Sequence, residues 1–325
     1  RAASGPPSAA PALRPLEAAE ARAVDAAFAR VLGPGPPARS PVLLRLPFHD
    51  AGTFRVRPGG GGNGRLNASV RLELGRPENK GLKKGWRTVE EVHAALAGSA
   101  AAGLSLADCE ALTGARATRL CGGPDIPVRV GRADADAPDP EGRLPSEQAP
   151  VGELKATFAG MGFGAREFVA LCGAHTIGSK GFGGPLEFDN AYFRILPTRP
   201  WAAAGASEMD KMTGLPSDHV LVDDPECLAA VEAFAADQGV FFREFAAMGP
   251  PQAIGYTCGI ALCLLGLGVL GHAHATEAVE QGERLSTLGE KSPEPPTPLA
   301  ARLSMADRTA PSRWVATDRR MSVAQ

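Results

Sequence analysis

Tyrosine is nearly missing from this 325-residue chain, which has only two, and tryptophan occurs only three times. The absences narrow the function first. Six cysteines, at 109, 121, 172, 227, 258 and 263, form no CxxC pair and no metal-ligand spacing, which excludes a zinc ribbon or a disulfide-built scaffold. They read as free thiols, in keeping with a reducing compartment. There is no surplus of positive charge either: 34 Lys and Arg face 36 Asp and Glu, a net charge of −2, so no electrostatic case exists for a nucleic-acid partner. Strand-like alternation is scarce. The glycine run PGGGGNG, 58 to 64, follows no strand and precedes no Lys-Ser/Thr pair, so it reads as a loop rather than a phosphate cradle.

What is present is apolar and helical. The 44% hydrophobic content is enough for a sizeable core, and the periodicity predicts a mainly α domain. Residues 1–15 are rich in Ala, Pro and Ser without an apolar period and read as a flexible leader. Helices are predicted over Leu16 to Leu32, from about Ser40 through Phe48, and over Val89 to Ala102, Leu106 to Arg119, Val151 to Gly160, Ala165 to Gly173, Pro225 to Asp237 and Val240 to Met248. Beyond these the pattern changes. From 253 to 270 the run AIGYTCGIALCLLGLGVL carries no charged side chain, so residues 253–272 are expected to form a transmembrane helix, the alternative being a buried helix. Residues 273–325 form a polar tail with SPEPPTP inside it.

Two clusters carry chemistry. In LLRLPFHDAGTF, Arg45 and His49 lie four apart on one helical face with Phe48 beside them. A fixed cation one turn from an imidazole lowers the cost of negative charge while the imidazole moves a proton, which is what heterolysis of an O–O bond needs. Such a pair alone is more often a solvated or core-satisfied arrangement. In the second cluster, EFVALCGAHTIGSKGFGG, an apolar helix delivers His175 among the small residues Gly173, Ala174 and Gly178, leaving room for a flat cofactor. A buried imidazole with a carboxylate partner suits an iron ligand, and LPSDHVLVDDP offers Asp218. Spacing does not establish that pairing.

Residues 16–249 resemble the class I plant-type haem peroxidases, the ascorbate peroxidase and cytochrome c peroxidase group. RLPFHDAGTF, ENKGL, LSLADCEAL, CGGPDIPVRVGRADA, FVALCGAHTIG, FDNAYF and LPSDHVLVDDP occur in that family's order. The resemblance implies a two-lobed helical fold with haem b (iron protoporphyrin IX) between distal and proximal helices. It implies that His49 is the distal acid and base, that Arg45 stabilises the departing charge, and that Asn79 orients the distal imidazole, with Glu73 helping to hold that region. It also implies that His175 is the axial iron ligand, that Asp218 is its partner, and that Phe48, Thr176, Ser179 and Leu186 lie against the cofactor.

The departures matter as much. Phe48 stands where ascorbate peroxidases commonly have Trp, and Leu186 where the proximal Trp is expected, so a side-chain radical has no host there. The cations that clamp ascorbate have no counterpart; Pro37 falls near one position and Lys180 is the nearby cation on the other wall. Thr176 and Asp189 match only two ligands of the family's monovalent-cation loop, so no ordered K⁺ is expected. The implied function is reduction of hydrogen peroxide to water with a small electron donor in peroxide detoxification. The other reading is a peroxidase-derived structural subunit of a thylakoid or other membrane complex. By analogy with membrane-bound relatives the expected location is the chloroplast thylakoid membrane, with the mitochondrial inner membrane as the alternative.

Overall fold

The first helix, α1 (Ala18–Leu32), forms because Val24, Ala27, Phe28 and Leu32 recur at three- and four-residue intervals, and all four are buried. Gly33, at φ 78°, ends it. These elements come from a computed structural model that describes residues 13–57, 62–198 and 213–248. Within the expected leader, Leu13 is buried, and Arg14 exchanges backbone hydrogen bonds with Val130 (2.9 and 2.8 Å) and pairs with Glu20 at 2.6 Å. The folded chain therefore begins ahead of residue 16.

Helix α2 (Ser40–Ala51) has Pro near its start, where a missing N–H costs nothing, and tolerates Pro47 in its interior. It starts at Ser40 itself, without a side-chain cap. Strands β1 (Arg55–Val56) and β2 (Gly62–Asn63) pair antiparallel, so the end of the glycine run closes a short hairpin. Helix α3 (Leu82–Ala95) begins seven residues ahead of its predicted start. Gly81, at φ 87°, opens it and Gly98, at φ 73°, follows its end, so left-handed glycines set both limits rather than the alanine run that suggested a later helix.

Helix α4 (Leu106–Leu120) is capped by Ser105, whose hydroxyl accepts the Asp108 N–H. Next come α5 (Val151–Met161) and α6 (Ala165–Cys172), a 3₁₀ turn over Gly173–Thr176, and α7 (Ala191–Ile195). The chain continues through α8 (Pro216–His219), α9 (Pro225–Ala236) and α10 (Gln238–Ala247). The side chains pack into two hydrophobic cores. One gathers α1, α3 and α4 around Phe28, Trp86, Val89 and Leu112; the other gathers α5 to α7, α9 and α10 around Phe168, Phe193, Phe234 and Phe241. Helix α2 serves both, giving Leu43 and Leu46 to the first and Leu44 and Phe48 to the second. Each fully buried Phe contributes about 1.5–3 kcal/mol through lost apolar exposure. The mainly helical organisation is consistent with the expected peroxidase fold, and α2 contributes to both cores.

The expected transmembrane helix needs correction. Among the described residues no helix is long and apolar enough to cross a membrane, and the longest, α1 and α4, have 15 residues where a span needs about 20. Both are amphipathic or buried against neighbouring helices. The run at 253–272 and the tail at 273–325 lie outside the described residues, and the helical domain that the described residues form contains no spanning helix.

Candidate active site

Helix α2 places Arg45 and His49 on one face, and His49 is completely buried. Its Nδ1 lies 2.8 Å from Asn79 Oδ1. The Asn79 amide is oriented in turn, because its Nδ2 donates to the backbone carbonyl of Glu73 at 3.0 Å, which turns Oδ1 toward the ring. His49 Nδ1 is therefore the protonated nitrogen, and Nε2 holds the lone pair. Burial, reinforced by the Arg45 charge and opposed by the Asn79 bond, keeps the imidazole pKa well below the usual 6.5, so His49 is a neutral acceptor at ordinary pH.

Arg45 fills that acceptor in this structure. Its Nε donates to His49 Nε2 at 2.9 Å, while Nη1 and Nη2 donate to the carbonyls of Lys80 and Glu78, both at 2.8 Å. Those carbonyls flank Asn79 in sequence, so one segment fixes both members of the pair. Glu73 helps hold this region: its carboxylate accepts from Arg76 and from the Asp139 N–H, each at 2.7 Å, and its backbone oxygen meets Asn79. Phe48 is fully buried with its ring edge-on to His49, centroids 5.6 Å apart. Gly52 makes room for it, since a Cβ there would lie 2.7 Å from the Phe48 ring.

Asp50, next to His49, was missed by sequence reasoning. Its buried carboxylate accepts from Asn67 N (2.6 Å), Ala68 N (2.9 Å), Val70 N (2.7 Å) and Ser69 Oγ (3.1 Å), which pins α2 to the following loop. Burial pushes its pKa up to about 7 against the pull of these four donors. Its place beside the histidine in RLPFHDAGTF was the available signal.

On the other side, α6 ends at Gly173, where a Cβ would lie 2.5 Å from the Phe241 ring and 2.7 Å from Phe193. Only glycine lets the backbone pass so close, and the next two residues bring His175 into the interior, 3% exposed. His175 Nδ1 lies 2.7 Å from Asp218 Oδ1, which settles the pairing that spacing left open. Asp218 also accepts from Leu215 N at 2.7 Å and from the Tyr192 hydroxyl at 2.9 Å. Burial disfavours charge on this carboxyl, but His175 and these two donors overcome it and hold its pKa below the usual range. Tyr192 was also overlooked, though it stands in the matched run FDNAYF and is one of only two tyrosines.

The His175 ring therefore has one nitrogen anchored and one spare. Nε2 is buried and has no hydrogen-bond partner. Leaving a buried polar atom unmet costs about 1–3 kcal/mol, and an imidazole whose far nitrogen is held by a carboxylate is a strengthened metal ligand, so the site fits an iron bound at Nε2. The other residues expected near a cofactor stand apart from these hydrogen-bonded chains. Thr176 donates its hydroxyl to Asp189 at 2.7 Å, Ser179 is exposed, and Leu186 is half-buried against the second core.

Two buried imidazoles, one held by an amide beside an arginine and the other by a carboxylate, have the local geometry expected of the two histidines of a peroxidase site. Residues 21–183 match the family model described as peroxidase, and the chain belongs to that family. It is similar to the Arabidopsis thaliana protein named "Putative L-ascorbate peroxidase 6", with 49% identity over 203 residues, covering 62% of this chain and 60% of that relative. The chain thus spans less than two thirds of that protein. It is also 37% identical over 219 residues to the peroxisomal L-ascorbate peroxidase 5 of Arabidopsis thaliana, covering 64% of this chain and 72% of the relative. Against the cytosolic L-ascorbate peroxidase 2 of the same plant it is 36% identical over 218 residues, covering 63% and 80%. By class this is a haem-dependent peroxidase, and haem is its cofactor. The relatives' names give cytosolic and peroxisomal compartments and, for a cytochrome c peroxidase of Emericella nidulans, a mitochondrial one. The expected thylakoid location and membrane complex rested on the spanning helix and have no support here.

Proposed function

We propose that the protein reduces hydrogen peroxide to water with electrons from a small reductant, as a peroxide-detoxifying enzyme. The observation that carries this reading is the spare, buried Nε2 of His175 on an imidazole tied to Asp218. His175 would hold the iron of haem, with Phe48 and Leu186 offering apolar surface for the cofactor. When bound, haem supplies the redox chemistry that breaks the O–O bond.

The protein's own groups manage protons and charge. His49 Nε2 accepts a proton from peroxide and returns it to the departing oxygen, which leaves as water. Asn79 keeps that nitrogen the acceptor of the neutral ring, because Nδ1–H is committed to its carbonyl. For His49 Nε2 to serve, peroxide takes over the bond that Arg45 Nε now makes, and the guanidinium turns its charge on the oxygen as negative charge develops. Two electrons from the donor and two protons complete the balance, giving two waters per peroxide.

The test combines an optical spectrum with two variants. The haem-loaded protein is expected to show a Soret band that changes on adding stoichiometric peroxide. His175→Ala should lose haem or bind it far more weakly. His49→Ala should keep haem and slow the peroxide reaction by ~10²–10⁴-fold, the range for lost acid–base catalysis. A protein that takes up no haem, or a His49→Ala variant as fast as the parent, would refute the assignment.

A further inference from the structure

Asp218 has two oxygens and three donors to satisfy. Oδ2 accepts the Leu215 N–H alone, whereas Oδ1 receives both His175 Nδ1 and the Tyr192 hydroxyl, at 2.7 and 2.9 Å. Two donors on one oxygen compete for the same electron density. Tyr192 is fully buried, its ring edge-on to His175 (centroids 5.9 Å apart), Phe182 (4.6 Å) and Phe193 (4.9 Å), so its hydroxyl has one fixed direction. Burial, and then the neighbouring Asp218 charge, raise the phenol pKa well above 10 and keep it a donor. Asp189, just ahead of α7, accepts both the Thr176 hydroxyl of the His175 turn (2.7 Å) and the Ala191 N–H at the start of α7 (2.9 Å), a second tie between that turn and the helix that carries the tyrosine.

We infer that Tyr192 is a positioning residue that sets the electron-donating strength of His175 through Asp218. This rests on the reading of His175 as the iron ligand. A carboxylate that accepts the imidazole N–H strongly draws that proton toward itself, gives the ring anionic character and favours the ferric iron over the ferrous. The Tyr192 hydroxyl takes part of that acceptor capacity away. It therefore weakens the pull on His175 Nδ1–H and moves the ferric/ferrous potential upward. The same hydroxyl stops the carboxylate from swinging off the ring, since Oδ1 is bound from two directions and Oδ2 from a third.

Tyr192→Phe deletes the hydroxyl and leaves the ring packing in place. In the haem-loaded protein, the ferric/ferrous midpoint potential measured by spectroelectrochemistry should shift negative, and the iron–histidine stretching frequency of the ferrous form should rise in resonance Raman. With Asp218→Asn in the background, both shifts should vanish, because the phenol has no carboxylate left to act through. A second substitution covers the case in which Tyr192→Phe folds poorly: a fluorinated tyrosine at 192 is a stronger donor and should shift the potential the opposite way. Unchanged potential and stretching frequency in either variant would overturn the inference while haem binding through His175 stands. Failure of the parent protein to bind haem would instead sink the functional reading on which it rests.

Discussion

At the scale of single residues, Arg45 does two things to His49. It donates to Nε2, and its charge adds to burial in depressing the imidazole pKa. A base protonated only well below pH 6.5 leaves the peroxide reaction flat through mildly acid solution. Stopped-flow rates should therefore hold their plateau below pH 6.5 in the parent, and Arg45→Leu should move the acid limb upward while lowering the plateau. A limb that stays put would show that burial alone sets the pKa. Much of this site could be read from the chain. Arg45 and His49 share a helix, where a four-residue spacing dictates a shared face, and Asn79, His175 and Asp218 stood in recognisable runs. What could not be read were the contacts that only tertiary packing creates. The Lys80 and Glu78 carbonyls that hold Arg45 belong to backbone groups, which leave no trace in residue type. Tyr192 and Asp218 are 26 residues apart on elements too short to show a period.

At the scale of elements, the 3₁₀ turn after α6 is the part with least tolerance. Gly173→Ala would push a methyl into the Phe241 and Phe193 rings, and overpacking of this kind costs about 1–3 kcal/mol. Because the strain falls two residues from His175, the variant should lose haem affinity together with melting temperature; a drop in melting temperature alone would mean the turn relaxes away from the histidine. Helix α9 offers a contrast. Asp224 caps it by accepting from Glu226 N (3.1 Å) and Cys227 N (3.0 Å), and Asp224→Ala should cost about 0.5–2 kcal/mol in chemical denaturation. Its haem spectrum should be unchanged. The long amphipathic helices were legible because burial imposes their period. The limits of α3 were not, because two left-handed glycines outweighed the helix propensity of the alanines beyond them.

At the scale of the whole molecule, buried ionisable groups shape stability against pH in opposite directions. Glu110 on α4 is completely buried with neither carboxylate oxygen hydrogen-bonded, and burial, with Asp50 nearby, raises its pKa well above 4.5. For such a group the folded chain binds more protons than the unfolded one. Its contribution is full below pH 4.5 and declines as pH rises. Asp50 acts the same way between 3.8 and about 7. His49 runs the other way: its folded pKa lies below 6.5, so the unfolded chain binds more protons and stability falls as pH drops under 6.5. Glu110→Gln should therefore match the parent in denaturant unfolding near pH 4.5 and exceed it increasingly toward pH 8. Curves that stay parallel across that range would show that Glu110 titrates alike in both states.

The two histidines are chemically identical, and the choice of second neighbour divides their labour. An amide carbonyl draws only weakly on a ring proton, so the imidazole behind Asn79 stays an even-handed relay, able to take and surrender hydrogen. An anionic carboxylate draws hard, and in the proposed function the imidazole in front of Asp218 becomes a grip rather than a courier. One atom of difference, nitrogen or oxygen, at two places separates anchor from shuttle. Exchanging Asn79 and Asp218 for each other's side chains would leave every imidazole in place and still confuse the two trades.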